Sequence, residues 1–113
     1  MLRIPANVRI YLATEPCDMR RQFDGLAALV RSGMEQDPES GDLYIFRNRR
    51  GDMVKALFRD RHGYCMLAKR ISRGTFRIEA DELRSSSAFQ ISAEELAELL
   101  SELSLTRVKS LPT

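Results

Sequence analysis

The side chains best suited to chemistry in this chain are cations. Arg47, Arg49, Arg50, Lys69, Arg70 and Arg73 crowd around two short polar segments. Guanidinium groups grip phosphate oxygens through paired hydrogen bonds, so such a cluster suits a polyanion, DNA or RNA. Fifteen Arg against three Lys favours the same reading; a GC-rich coding sequence is the competing source of that bias. Catalytic constellations do not emerge. The chain has no GxSxG, HExxH, P-loop or GxGxxG motif. His62 is the single histidine and stands beside Arg61 in a turn segment, so solvent exposure is expected and no second imidazole completes a metal site. Asp18 and Asp24 fit helix-start roles, and Asp42, Asp52 and Asp60 fit strand-end and turn roles. Cys17 and Cys65 are isolated and read as reduced, partly buried thiols. No catalytic residue, metal or cofactor is therefore expected.

The overall charge of +2 on 113 residues conceals an uneven distribution. Residues 47–77 carry ten cations against Asp52 and Asp60, a local net of +8. Residues 79–102 carry seven carboxylates against Arg84, a local net of −6. A basic middle favours a polyanion. The acidic stretch favours a basic partner, or folds back and masks the middle. Ordinary solvated surface is the alternative for both.

The elements that must hold these groups follow from pattern. The length fits one domain, residues 1–113, with one hydrophobic core. The apolar run Leu26–Val30 falls far short of the roughly 20 residues of a bilayer span. With no apolar signal core near the start, a cytoplasmic protein without membrane contact is expected. Val8–Leu12 reads as a strand. Asp18 reads as the N-cap of a helix whose stripe is Met19, Phe23, Leu26, Ala27, Val30 and Met34, closed by Gly33. Gly25 inside that helix costs on the order of 1 kcal/mol relative to Ala, and a close helix–sheet contact would explain it. Leu43–Phe46, Met53–Phe58, Tyr64–Ala68 and Thr75–Ile78 read as a β-meander with turns at 48–52, 60–63 and 72–74. Alternate turns of a meander share one end of the sheet. The first and third turns therefore bring the six cations together, as a phosphate-binding surface would require.

Residues 79–90 read as a mobile linker or loop, and residues 106–113 as a frayed tail. Ser92 and Glu95 form a capping box, with Ile91 and Leu96 placed as its hydrophobic staple. Leu96, Leu99, Leu100 and Leu103 then share one helix face. That face either packs on the chain's own sheet or is offered to another protein. The fold class expected is α+β: an antiparallel β-meander of four to five strands, one main helix packed on a face, and a C-terminal amphipathic helix.

Asp18-Met19-Arg20-Arg21-Gln22-Phe23-Asp24-Gly25-Leu26-Ala27-Ala28-Leu29-Val30 resembles a block of the TnpB-type accessory proteins of the insertion-sequence-66 transposon family. Gly41 to Asp52, Lys69 to Phe76 and Ile91 to Leu100 are similar to that family's later blocks, in the same order. Arg59, Arg77-Ile78 and Ser101-Glu102-Leu103 depart from its usual pattern. The resemblance implies a non-catalytic role in transposition, beside a separate transposase that carries the chemistry. It also implies DNA and the element-encoded transposase as partners. An adaptor that binds the transposase without touching DNA is the alternative.

Overall fold

A computed structural model describes residues 7–72 and 87–100, with the side chain of Leu100 not described. Five strands, β1 (Ile10–Ala13), β2 (Leu43–Arg47), β3 (Met53–Arg59), β4 (Tyr64–Arg70) and β5 (Ala88–Ile91), form one sheet in the order β4-β3-β2-β1-β5. The helices are α1 (Phe23–Ala28), continued by a π-helical turn Leu29–Gly33, and α2 (Ala93–Leu100). The class is α+β. The expected strand Thr75–Ile78, the turn at 73–74, most of the expected linker, Leu103 and the tail lie outside the described residues.

β2, β3 and β4 are consecutive antiparallel neighbours, with Ile45 opposite Ala56 and Ala56 opposite Leu67. The sheet is not purely antiparallel, however. β1 runs parallel to β2, with Leu12 beside Ile45. A parallel neighbour needs a crossover connection, and α1 with its π turn supplies it. The segment expected to be linker through residue 90 rejoins the sheet earlier: Thr14 N–H donates to Ser87 O at 3.0 Å, and Phe89 lies opposite Leu12 in antiparallel β5.

Strand alternation sends side chains to two faces. Ala13, Tyr44, Phe46 and Leu57 face Leu26, Ala27, Val30 and Met34 of the α1 region. Ile10, Leu12, Leu43, Ile45, Val54, Ala56 and Ile91 pack with Ile71 and with Leu96 and Leu99 of α2. Fully burying such a side chain contributes about 1.5–3 kcal/mol. Both faces therefore need their helix. Among the described residues no helix is long and apolar enough to cross a membrane.

The start of α1 differs from the expected one. Asp18 does not cap α1, which starts at Phe23 after Gln22. Its carboxylate instead accepts the Arg20 N–H at 2.8 Å, and its carbonyl accepts the Arg21 N–H at 3.2 Å, closing a separate turn. Gly33 is the last residue of the π-helical turn, as expected. The chain reverses at Glu35, with φ 57°, and Gln36 N–H reaches back to Val30 O at 3.0 Å, a bond that satisfies an orphan carbonyl. Gly25 makes no close sheet contact: a Cβ there would meet Arg21 Cβ at 3.3 Å. The capping box of α2 is present, with Glu95 N–H to Ser92 Oγ at 3.0 Å and Ser92 N–H to Glu95 Oε1 at 2.9 Å.

Candidate nucleic-acid interface

The β2–β3 turn is built around one amide. Asn48 Oδ1 accepts the N–H groups of Gly51, Asp52 and Met53 at 2.9, 3.1 and 3.1 Å. Its Nδ2 donates to Asp52 Oδ1 at 2.7 Å. Gly51 sits at φ 79°, a conformation that favours glycine. The result is a braced turn with Arg49 and Arg50 exposed at its tip. Arg50 makes only a loose contact with Asp52, at 4.0 Å.

The end of β4 lies against this turn. Arg70 is opposite Met53, and Ile71 N–H donates to Asp52 O at 2.7 Å. Arg50 and Arg70 are both near enough to Asp52 to help lower its pKa, after the larger effect of the Asn48 amide. The structure thus brings Arg49, Arg50 and exposed Arg70 to one end of the sheet, with half-buried Lys69 beside them. Arg73 lies outside the described residues.

Arg47 departs from the group. Alternation places it on the Leu43 and Ile45 face, where it is half-buried. Its Nη2 donates to Thr14 O at 2.6 Å, while its Nε is buried without a partner among the described residues. Burial lowers its pKa. It is a brace between β2 and the segment after β1, and the expected set of phosphate contacts shrinks accordingly.

Leu96 and Leu99 are each 2% exposed and spent on their own sheet. Of the two alternatives for that helix face, packing on the chain's own sheet holds at those two positions. Cys17 and Cys65 are half-buried, and burial is the leading cause that raises both thiol pKa values, so neither is primed as a nucleophile. His62 is exposed in a turn braced by Asp60, whose Oδ1 accepts the His62 and Gly63 N–H groups at 2.8 and 3.0 Å.

Three carboxylates have lowered pKa values. Asp18 falls to about 2 through its hydrogen bonds with Arg20. Asp52 falls through the Asn48 amide, and Asp60 through the backbone N–H groups of its turn. A carboxylate pKa lower in the folded than in the unfolded state contributes stability above the unfolded value and loses it as pH falls through the folded one. Thermal melting should therefore show a falling midpoint from about pH 4 down to about pH 2. A midpoint that is flat or rises over that window would contradict these turn bonds.

Sequence reasoning missed one exposed cation near this end. The sequence pattern puts Arg21 inside a longer helix. It lies instead in the segment before α1, which is joined to β2 by Cys17 N–H donating to Arg47 O at 2.9 Å.

Comparison with known proteins bears on this arrangement. The family model described as IS66 Orf2 like protein matches residues 8–110. Uncharacterized protein y4hO of Sinorhizobium fredii (strain NBRC 101917 / NGR234) is 38% identical over 101 residues, covering 89% of this chain and 85% of that protein. Uncharacterized protein y4jC of the same organism is 36% identical over 106 residues, covering 94% of this chain and 88% of that protein. No solved structure matches the chain. The family match takes in both braced turns, both helices and all five strands, and the chain belongs to the IS66 Orf2-like family.

Proposed function

We propose that the protein is a non-catalytic accessory factor for transposition of an insertion-sequence-66-type element, and that it contacts DNA through Arg49, Arg50, Lys69 and Arg70. One observation carries this reading: the braced β2–β3 turn and the end of β4, separate in sequence, are bonded together through Asp52 and Ile71. A solvated surface does not require two arginine-bearing segments to be locked side by side. Family membership supports the transposition setting. Loop-borne guanidinium and ammonium groups reach phosphates more readily than base edges, so specificity for element ends is weak. The transposase is the expected protein partner. Since Leu96 and Leu99 are buried, that contact falls to other surfaces.

The test is a titration of a random-sequence duplex and an element-end duplex at several salt concentrations. Three or four phosphate contacts give a slope of log affinity on log salt of about −3 to −4. Both duplexes bind with similar affinity. A flat salt response would overturn the DNA reading.

A further inference from the structure

Arg21 is exposed, yet the chain around it is tightly held. Its N–H donates to Asp18 O at 3.2 Å. Its carbonyl accepts a hydrogen bond from Lys55 Nζ at 2.9 Å. Lys55 is only 4% exposed. A buried ammonium is costly unless hydrogen-bonded, and its acceptor among the described residues is this loop carbonyl. The stem of Arg21 lies against the start of α1, where the missing side chain of Gly25 leaves room for it: a Cβ there would sit 3.3 Å from Arg21 Cβ and 3.4 Å from its Cγ.

The same loop is tied to the base of the arginine turn. Cys17 N–H donates to Arg47 O, and the Arg47 guanidinium donates to Thr14 O. Arg47 is followed directly by Asn48 and the Arg49–Arg50 tip. Arg21 and that tip are therefore carried by two loops anchored on one residue. Both lie at the end of the sheet where the parallel strands β1 and β2 finish. The neighbouring Arg20 is different, because its guanidinium is matched by the Asp18 carboxylate at 2.6 Å. Arg21 makes no salt bridge among the described residues.

We propose that Arg21 is a further phosphate contact of the DNA interface, positioned by Lys55 and Gly25, so that duplex backbone lies across both loops. This rests on the DNA reading given above. The Arg21→Ala substitution is at an exposed site and leaves the melting temperature close to that of the unchanged chain. It reduces the magnitude of the salt slope on a random duplex by about 0.9, the value of one phosphate contact. Arg31→Ala is the control. Arg31 is also exposed, but it lies in the π turn and influences Tyr64, at the opposite end of the sheet. It leaves the slope unchanged. A slope unaltered by Arg21→Ala, with salt-dependent binding intact in the unchanged chain, overturns this proposal and leaves the DNA reading standing. An equal reduction by Arg31→Ala overturns it too, since net charge and not position would then be responsible. No salt-dependent binding by the unchanged chain overturns both.

Discussion

Leu99→Glu is expected to unfold the protein or to detach α2 from the sheet. Leu99 is 2% exposed and packs in a cluster of Ile10, Leu12, Ile45, Ile91 and Leu96. Emptying a buried leucine site costs about 2–5 kcal/mol. A carboxylate in that apolar setting adds a further desolvation penalty. Against a typical stability of about 5–15 kcal/mol, the sum is enough to populate the unfolded state. Urea unfolding followed by circular dichroism should show a large drop in midpoint. Ala97→Glu, on the exposed side of the same helix, should stay within about 0.5 kcal/mol of the unchanged chain. Equal stability of the two variants would mean that α2 is not docked. The prediction also bears on partner binding. Loss of transposase binding in Leu99→Glu would report damage to the fold, so the variant does not identify a contact surface.

Asn48→Ala should be the most damaging change in the turns. It removes the acceptor of three backbone N–H groups and the donor to Asp52. Gly51 N–H keeps its bond to the Asn48 carbonyl, so the Asp52 and Met53 N–H groups are the orphaned donors, each costing about 1–3 kcal/mol away from water. Water reaches part of this turn, so the combined loss should be about 2–4 kcal/mol. Asn48→Asp keeps the acceptor but loses the amide donor and places a second carboxylate beside Asp52, so its loss should be smaller. The Asn48→Ala variant should also bind DNA more weakly at temperatures where it remains folded. An unbraced tip must order Arg49 and Arg50 on binding, and that ordering opposes association. An Asn48→Ala variant as stable as the unchanged chain would show that the amide does not organise the turn.

What was legible in the sequence was local. The hairpins joining β2, β3 and β4 follow from alternating apolar residues separated by Asn48–Asp52 and Asp60–Gly63. The capping box at Ser92 and Glu95 states its own geometry. The shared end of the first turn and the close of β4 follows from meander topology alone, and the bond between Ile71 and Asp52 holds those two segments together.

What was hidden depends on distant neighbours. Nothing within Ile10–Ala13 says that its partner is a parallel strand some thirty residues later. Ala88–Ile91 is short and follows a serine run, and it becomes a strand only because β1 offers a free edge. Asp18 has the right type for a helix cap, but Arg20 competes for its carboxylate and wins. Arg47 shows its charge in the sequence but not its face; strand alternation turns it inward onto Thr14. Arg21 is hidden for the converse reason. Read as one residue of a helix, it gives no sign of the Lys55 bond to its carbonyl.

The central claim is that position, not total charge, makes one end of the sheet a DNA-contacting surface. Two charge-matched double variants test it most directly on a random duplex across a range of salt. Arg49→Ala with Arg50→Ala removes two exposed cations from the basic end, and Arg31→Ala with Arg61→Ala removes two from the opposite end. The first pair should reduce the magnitude of the salt slope by about 1.8 and weaken binding on the order of tenfold or more at physiological salt. The second pair should bind like the unchanged chain. Equal losses in the two pairs, or no loss in the first, would contradict the account.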